Sequence, residues 1–159
     1  MVQADVQSTI EALKREYEQV GSEVRETLGR LHSEDLQKKS GDAGRTVGVV
    51  AGHLAKSPGT VAGYTTRFRD GKSMNFPRFL IDIANWFEAR ANRRMAADEF
   101  LPKYEEGHAR FAAEIDGSGD ADWDRKAKVV GQEIDLEGWF RMNIAHERDH
   151  LTEIKAGLG

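Results

Sequence analysis

The run VQSTIEALKREYEQVGSEVRETLGRL, residues 6–31, places Val6, Ile10, Leu13, Tyr17, Val20, Val24, Leu28 and Leu31 at successive steps of 4, 3, 4, 3, 4, 4 and 3. At 3.6 residues per turn, that spacing keeps all eight on one side of a helix, with Glu, Lys and Arg on the back. The helix is expected to begin near Asp5. A stripe this long needs other helices to cover it, because a helix in a protein takes most of its stability from packing its apolar face and little from propensity.

The same rhythm recurs downstream. After a loop marked by Ser33, Ser40, Gly41, Asp42 and Gly44, a second helix is expected from about Thr46, with Val47, Val50, Leu54, Val61, Tyr64 and Phe68 on its apolar face. Pro58 removes the bond to the Leu54 carbonyl and predicts a kink. The run Asp70-Gly71-Lys72-Ser73 ends this helix. Pro77 suits a first turn, and Phe79, Leu80, Ile83, Trp86 and Phe87 predict a shorter helix to about Arg93. Asp98 is the expected N-cap of the next helix, on which Leu101, Tyr104, His108, Phe111 and Ile115 step by 3, 4, 3 and 4. DGSGDADWDRKAK reads as loop, Val129-Val130 as a short extended piece, and a last helix is expected from about Ile134 to Lys155. Four long amphipathic helices predict one all-α domain over residues 1–159, a four-helix bundle. The segment from Pro77 to Arg93 would cross over between the second and third of them.

Composition narrows the function. Hydrophobic residues are 39% and charged residues 31%, and the net charge is −4, which argues against nucleic acid or an anionic membrane as partner. There is no Cys, so disulfides, thiolate zinc sites and Cys nucleophiles are excluded. The polar, acidic N-terminus lacks the form of a signal peptide, and no apolar run approaches the roughly 20 residues that span a bilayer. The expectation is a soluble, cytoplasmic protein.

The chain has five histidines: His32, His53, His108, His146 and His150. His146 and His150 are four apart in NIAHERDHLTEI, so on a helix their bases lie about 6 Å apart on one face. That spacing alone is a weak motif, but Trp139, Asn143, His146 and His150 border the apolar stripe of Leu136, Phe140, Ile144, Leu151 and Leu158. His53 sits among Val50, Leu54, Val61 and Tyr64 on the inward face of the second helix. Three neutral imidazoles from two helices can share an ion and leave coordination positions open. They can equally be three hydrogen-bonded core histidines. His108 lies on the seam of its helix, as a structural residue or a fourth ligand. His32 reads as a surface residue at a helix end.

Glu105/His108 and Glu147/His150 both match the Glu-x-x-His of di-iron bundles. Those sites also draw a Glu from each remaining helix, and no Asp or Glu occurs from Thr46 to Phe68. Gly41-Asp42-Ala43-Gly44-Arg45-Thr46 lacks the Walker lysine, and no Gly-x-Ser-x-Gly elbow occurs.

TVGVVAGHLAKS, residues 46–57, resembles the second helix of DinB/YfiT-like proteins, and GWFRMNIAHERDHLTEIKAGL, residues 138–158, resembles their last. Asp122-Trp123-Asp124 and DIANWFEARANRRMAADEFLP are similar to that family's middle. The likeness runs from about Val6 to Leu158. It implies a bundle of up-down-down-up topology and a divalent metal (zinc, nickel, iron or manganese) on His53, His146 and His150. Homodimers are common in the family, with the first helix and the Trp86 region as contact candidates here. The better-understood relatives are transferases or isomerases that use a low-molecular-weight thiol such as mycothiol or bacillithiol. On that footing the chain is a thiol-dependent S-transferase or isomerase acting on a small molecule. A metal-dependent hydrolase and a non-catalytic metal or small-ligand binding protein are the alternatives. Glu147 or Asp149 would orient a ligand. Asn85, Arg90 and Asn143 are the candidate substrate-binding residues, with Arg90 suited to a carboxylate.

Overall fold

The apolar stripes of the four long helices become the inward faces of a bundle, whereas Trp86 and Phe87 of the shorter helix are exposed. A computed structural model describes residues 3–41, 44–72, 78–129 and 131–159, with side chains for 6–41, 44–72, 84–129 and 131–159. Helices α1 (Gln3–Gly29), α2 (Val47–Arg69), α4 (Ala97–Asp116) and α6 (Leu136–Leu158) form the bundle, with α3 (Arg78–Asn92) between α2 and α4. All eight residues of the opening stripe are buried. They meet Leu54 and Phe68 of α2, Tyr104, Phe111 and Ile115 of α4, and Phe140 and Ile144 of α6 in one core.

Residue pairs fix the directions. On α1 and α4, Lys14 bonds Asp116 while Tyr17 stacks on His108 at 4.1 Å, so the two run antiparallel. Glu16 meets Arg141, and Glu23 meets Lys155, so α1 and α6 run parallel. Gly59 lies against Gly107, and Arg69 pairs with Glu114, so α2 and α4 also run parallel. Thr65 accepts from Trp139 while His53 meets His146, so α2 and α6 are antiparallel. The order is up-down-down-up. Two parallel neighbours need a crossover, and α3 provides it, packed on α2.

Helix α2 runs unbroken through Pro58. It meets α4 backbone to backbone at Gly107, where a Cβ would stand 2.7 Å from the Gly59 nitrogen. Only a residue without a side chain lets the two backbones meet there.

Three boundaries differ from the sequence reading. The N-cap of α4 is Ala96, not Asp98, and the Glu99 carboxylate accepts the Ala96 N–H at 2.6 Å. The stretch read as loop holds a single helical turn, α5 (Asp120–Trp123), and strand β1 (Lys126–Val129). That strand pairs antiparallel with β2 (Gln132–Asp135), so Ile134 belongs to a hairpin and not to the last helix. Gly131, at φ +83°, makes the turn. Asp135 then caps α6 by accepting the Gly138 N–H at 2.8 Å. Asp42, Ala43, Ser73, Pro77 and Val130, which carried expectations above, lie outside the described residues, as do the side chains of Phe79, Leu80 and Ile83. Among those described, no helix is long and apolar enough to cross a membrane.

Candidate metal centre

His53 comes from the second turn of α2, and His146 and His150 from successive turns of α6. Because α2 and α6 are antiparallel neighbours, their inward faces bring the three rings together. One nitrogen from each lies within 4.8 Å of the others. The Nε2 atoms of His53 and His146 are 3.1 Å apart. Two imidazole nitrogens on one tetrahedral ion, with metal–nitrogen lengths of about 2.0–2.1 Å, stand about 3.3 Å apart.

Two carboxylates set the tautomers. His53 Nδ1 lies 2.8 Å from Glu88 Oε1, and His150 Nδ1 lies 3.3 Å from Glu153 Oε2. A carboxylate only accepts, so each Nδ1 carries the proton and each Nε2 presents a lone pair. The Nε2 of His150 is buried and has no hydrogen-bond partner. Buried polar atoms are nearly always partnered, so this orphan is an open ligand position. Burial, reinforced by His146 and His53, pushes His150 down to about 3. Burial and His53 also hold His146 below the ordinary histidine value. Both rings are therefore neutral at neutral pH, the form that binds metal. Burial works to raise the Glu88 carboxyl, but the His53 hydrogen bond holds it below its ordinary value. The residues present fit a divalent ion.

The rings open onto a cavity of about 280 Å³ lined also by Arg45, Val49, Asn85, Glu88, Ala89 and Asn92. Asn85, Glu88, Ala89 and Asn92 form one face of α3. Asn92 is buried and ties α3 to α2: it donates to the Val49 carbonyl and accepts from Lys56 at 2.6 Å.

Of the three residues read from sequence as substrate-binding, Asn85 lines this cavity. Arg90 is exposed and is not among the lining residues. Asn143 is buried with its amide donating to the Trp139 carbonyl at 2.7 Å.

The carboxylates that meet the imidazoles are Glu88 and Glu153, not Glu147 or Asp149. Asp149 is exposed. Glu147 follows His146 by 100° of helix turn and points into the core, where the Tyr104 hydroxyl donates to it at 2.8 Å. Burial pushes its carboxyl up to about 7. His108 joins this second network and not the metal cluster, with Nδ1 3.1 Å from the Tyr104 hydroxyl and Nε2 3.2 Å from Glu18. It is a packed core residue, and the exposed Glu105 leaves no di-iron pair. Glu153, three residues after His150, was within reach of helical spacing. Glu88 was not, because no local pattern shows which face of the crossover meets α2.

The sequence profile of the DinB superfamily matches residues 16–154. The chain belongs to the DinB superfamily. Solved structures agree on the fold. The mycothiol-dependent maleylpyruvate isomerase superposes with a TM-score of 0.76 at 14% identity, over 92% of this chain and 61% of its own. This DinB-superfamily chain thus spans about three fifths of that enzyme's length. YfiT from Bacillus subtilis, described as "a probable metal-dependent hydrolase with an unusual four-helix bundle topology", gives 0.68 at 18% identity, over 98% of this chain and 86% of its own. No curated protein matches this DinB-superfamily chain at significant similarity.

Proposed function

We propose that this chain is a divalent-metal-dependent enzyme that transfers a low-molecular-weight thiol to an electrophilic small molecule. The observation that carries it is the buried, unpartnered Nε2 of His150, grouped with His53 and His146 at the floor of an open cavity. His53, His146 and His150 would hold the ion: zinc, nickel, iron or manganese. A divalent ion at such a site supplies Lewis-acid activation, making a thiol or water acidic enough to act as a nucleophile near neutral pH. Glu88 and Glu153 hold the rings with Nε2 inward. Asn92 keeps α3, and with it Glu88, against α2. In the transfer, the thiol sulfur forms a bond to carbon, the leaving group departs with the bonding electrons, and the thiol proton passes to solvent. The thiol has to be a cosubstrate, because the chain has no Cys. The mycothiol dependence of the maleylpyruvate isomerase supports that choice of cosubstrate. A cytoplasmic homodimer is the accompanying expectation, and Trp86 and Phe87, 60% and 61% exposed on α3, are apolar surface suited to a partner chain.

The test is turnover of a chloronitroarene by metal-loaded, untagged protein with mycothiol or bacillithiol. Thiol and arene are expected to disappear one for one, and the metal-free protein to be inactive. Hydrolysis of an ester without thiol would instead make this a hydrolase, and no turnover of either kind would leave a binding protein.

A further inference from the structure

We propose that the cavity takes a carboxylate-bearing small molecule and that Arg45 holds its carboxylate beside the three histidines. This deepens the metal-enzyme reading and rests on it for the second contact.

Arg45 is the arginine among the described residues that line the cavity. It is a built position, one residue ahead of the α2 N-cap. Its carbonyl accepts from the Ser40 N–H at 3.1 Å and from the Ser40 hydroxyl at 3.2 Å. Its Nη2 reaches both oxygens of Glu153, at 3.1 and 3.3 Å. Glu153 divides its charge between that guanidinium and His150 Nδ1, and Glu88 is engaged on His53. Among the described side chains at the cavity, the cations Arg45 and Lys56 stand against the carboxylates Glu88 and Glu153. The three candidate ligands are imidazoles, which supply no negative charge. A divalent ion therefore arrives with two positive charges that no ligand from the chain offsets, and an anionic guest is favoured. The guanidinium fork matches a carboxylate in geometry as well as charge. Arg90, the candidate for a carboxylate on sequence grounds, lies outside the lining. The carboxylate can sit on the electrophile or on the thiol.

The test is calorimetric titration of untagged, zinc-loaded protein with thioglycolate, 2-mercaptoethanol and malonate, with zinc content measured on each sample. Wild type is compared with Arg45→Met and Arg45→Lys. In wild type, thioglycolate is expected to bind at least about tenfold tighter than 2-mercaptoethanol, the scale of one charged hydrogen-bonded contact. Arg45→Met loses that preference and Arg45→Lys restores part of it. Malonate binding that depends on Arg45 places the carboxylate on the electrophile. A preference confined to thioglycolate places it on the thiol. Equal affinities for the two thiols in wild type, with no binding of malonate, overturn the proposal, as does a preference unchanged in Arg45→Met. Should zinc fail to bind wild type, or be lost from Arg45→Met, malonate is titrated into the metal-free proteins. Arg45-dependent binding there sustains this inference even where the metal reading has failed, and its absence overturns it.

Discussion

Replacing His150 by Ala is expected to cut bound metal below about a tenth of an ion per chain while leaving the bundle folded. His150 supplies one of three ligands, so its loss leaves two imidazoles against a cavity of water. The fold survives because the ring's Nε2 is an orphan. Removing a buried, unpartnered polar atom recovers about 1–3 kcal/mol, which offsets much of the packing lost with the ring. The metal-free variant should therefore melt within a few degrees of metal-free wild type. The loaded wild type should stand above both. A ligand held at 100 to 1,000 times its Kd stabilises by about 2.7–4.1 kcal/mol. At about 2–4 °C per kcal/mol for a domain of this size, that is roughly 5–15 °C. Elemental analysis and thermal melts of the same samples read both effects. Unchanged metal content in the variant would remove His150 from the site.

Gly107→Ala should destabilise the protein by about 2–3 kcal/mol, against the direction of helix propensity. In a solvent-facing helix the change gains up to about 1 kcal/mol. At this crossing the new methyl would stand 2.7 Å from the Gly59 nitrogen and 3.3 Å from its Cα. Backbone on α2 cannot swing aside as a side-chain end can, so the helices must part, and overpacking of this kind costs about 1–3 kcal/mol before lost neighbours are counted. Gly63→Ala, also on α2, is the control. Nothing lies within 4 Å of its Cβ position, and it should stabilise by up to about 1 kcal/mol. Melting temperatures moving in opposite directions would support the crossing, and a rise in both would show that α2 and α4 are not in backbone contact at Gly107.

Both substitutions mark what can be read from one chain. The opening stripe from Val6 to Leu31 is legible because burial on one helix side writes a period into sequence. The bundle follows from it. The direction of each helix does not, because a stripe reads the same whether its partner runs up or down. Here the direction is carried by pairs such as Gly59 with Gly107. Of the β1–β2 hairpin the sequence showed only an extended piece at Val129, because of its eight residues only Ala127 and Val129 are buried. Too few apolar positions remain to show a period of two. At the site, the spacing of His146 and His150 was visible and His53 stood on the right face, so the cluster could be anticipated. His108 carried the same local signal and joined a different network, because only the packing of α4 against α1 determines which carboxyl it meets. Glu147 shows the reverse: next to a candidate ligand in sequence, it lies 100° further round α6 and meets Tyr104 in the core.

The proposed thiol transfer depends on an ion at His53, His146 and His150. The most direct measurement is the metal content of untagged wild-type protein, purified without a metal-affinity column and dialysed against metal-free buffer. About one divalent ion per chain is expected, and its identity sets the metal for the turnover assays. Less than about a tenth of an ion per chain, with no rise in melting temperature on adding zinc, nickel, iron or manganese, would contradict the metal centre and leave the three histidines as core residues.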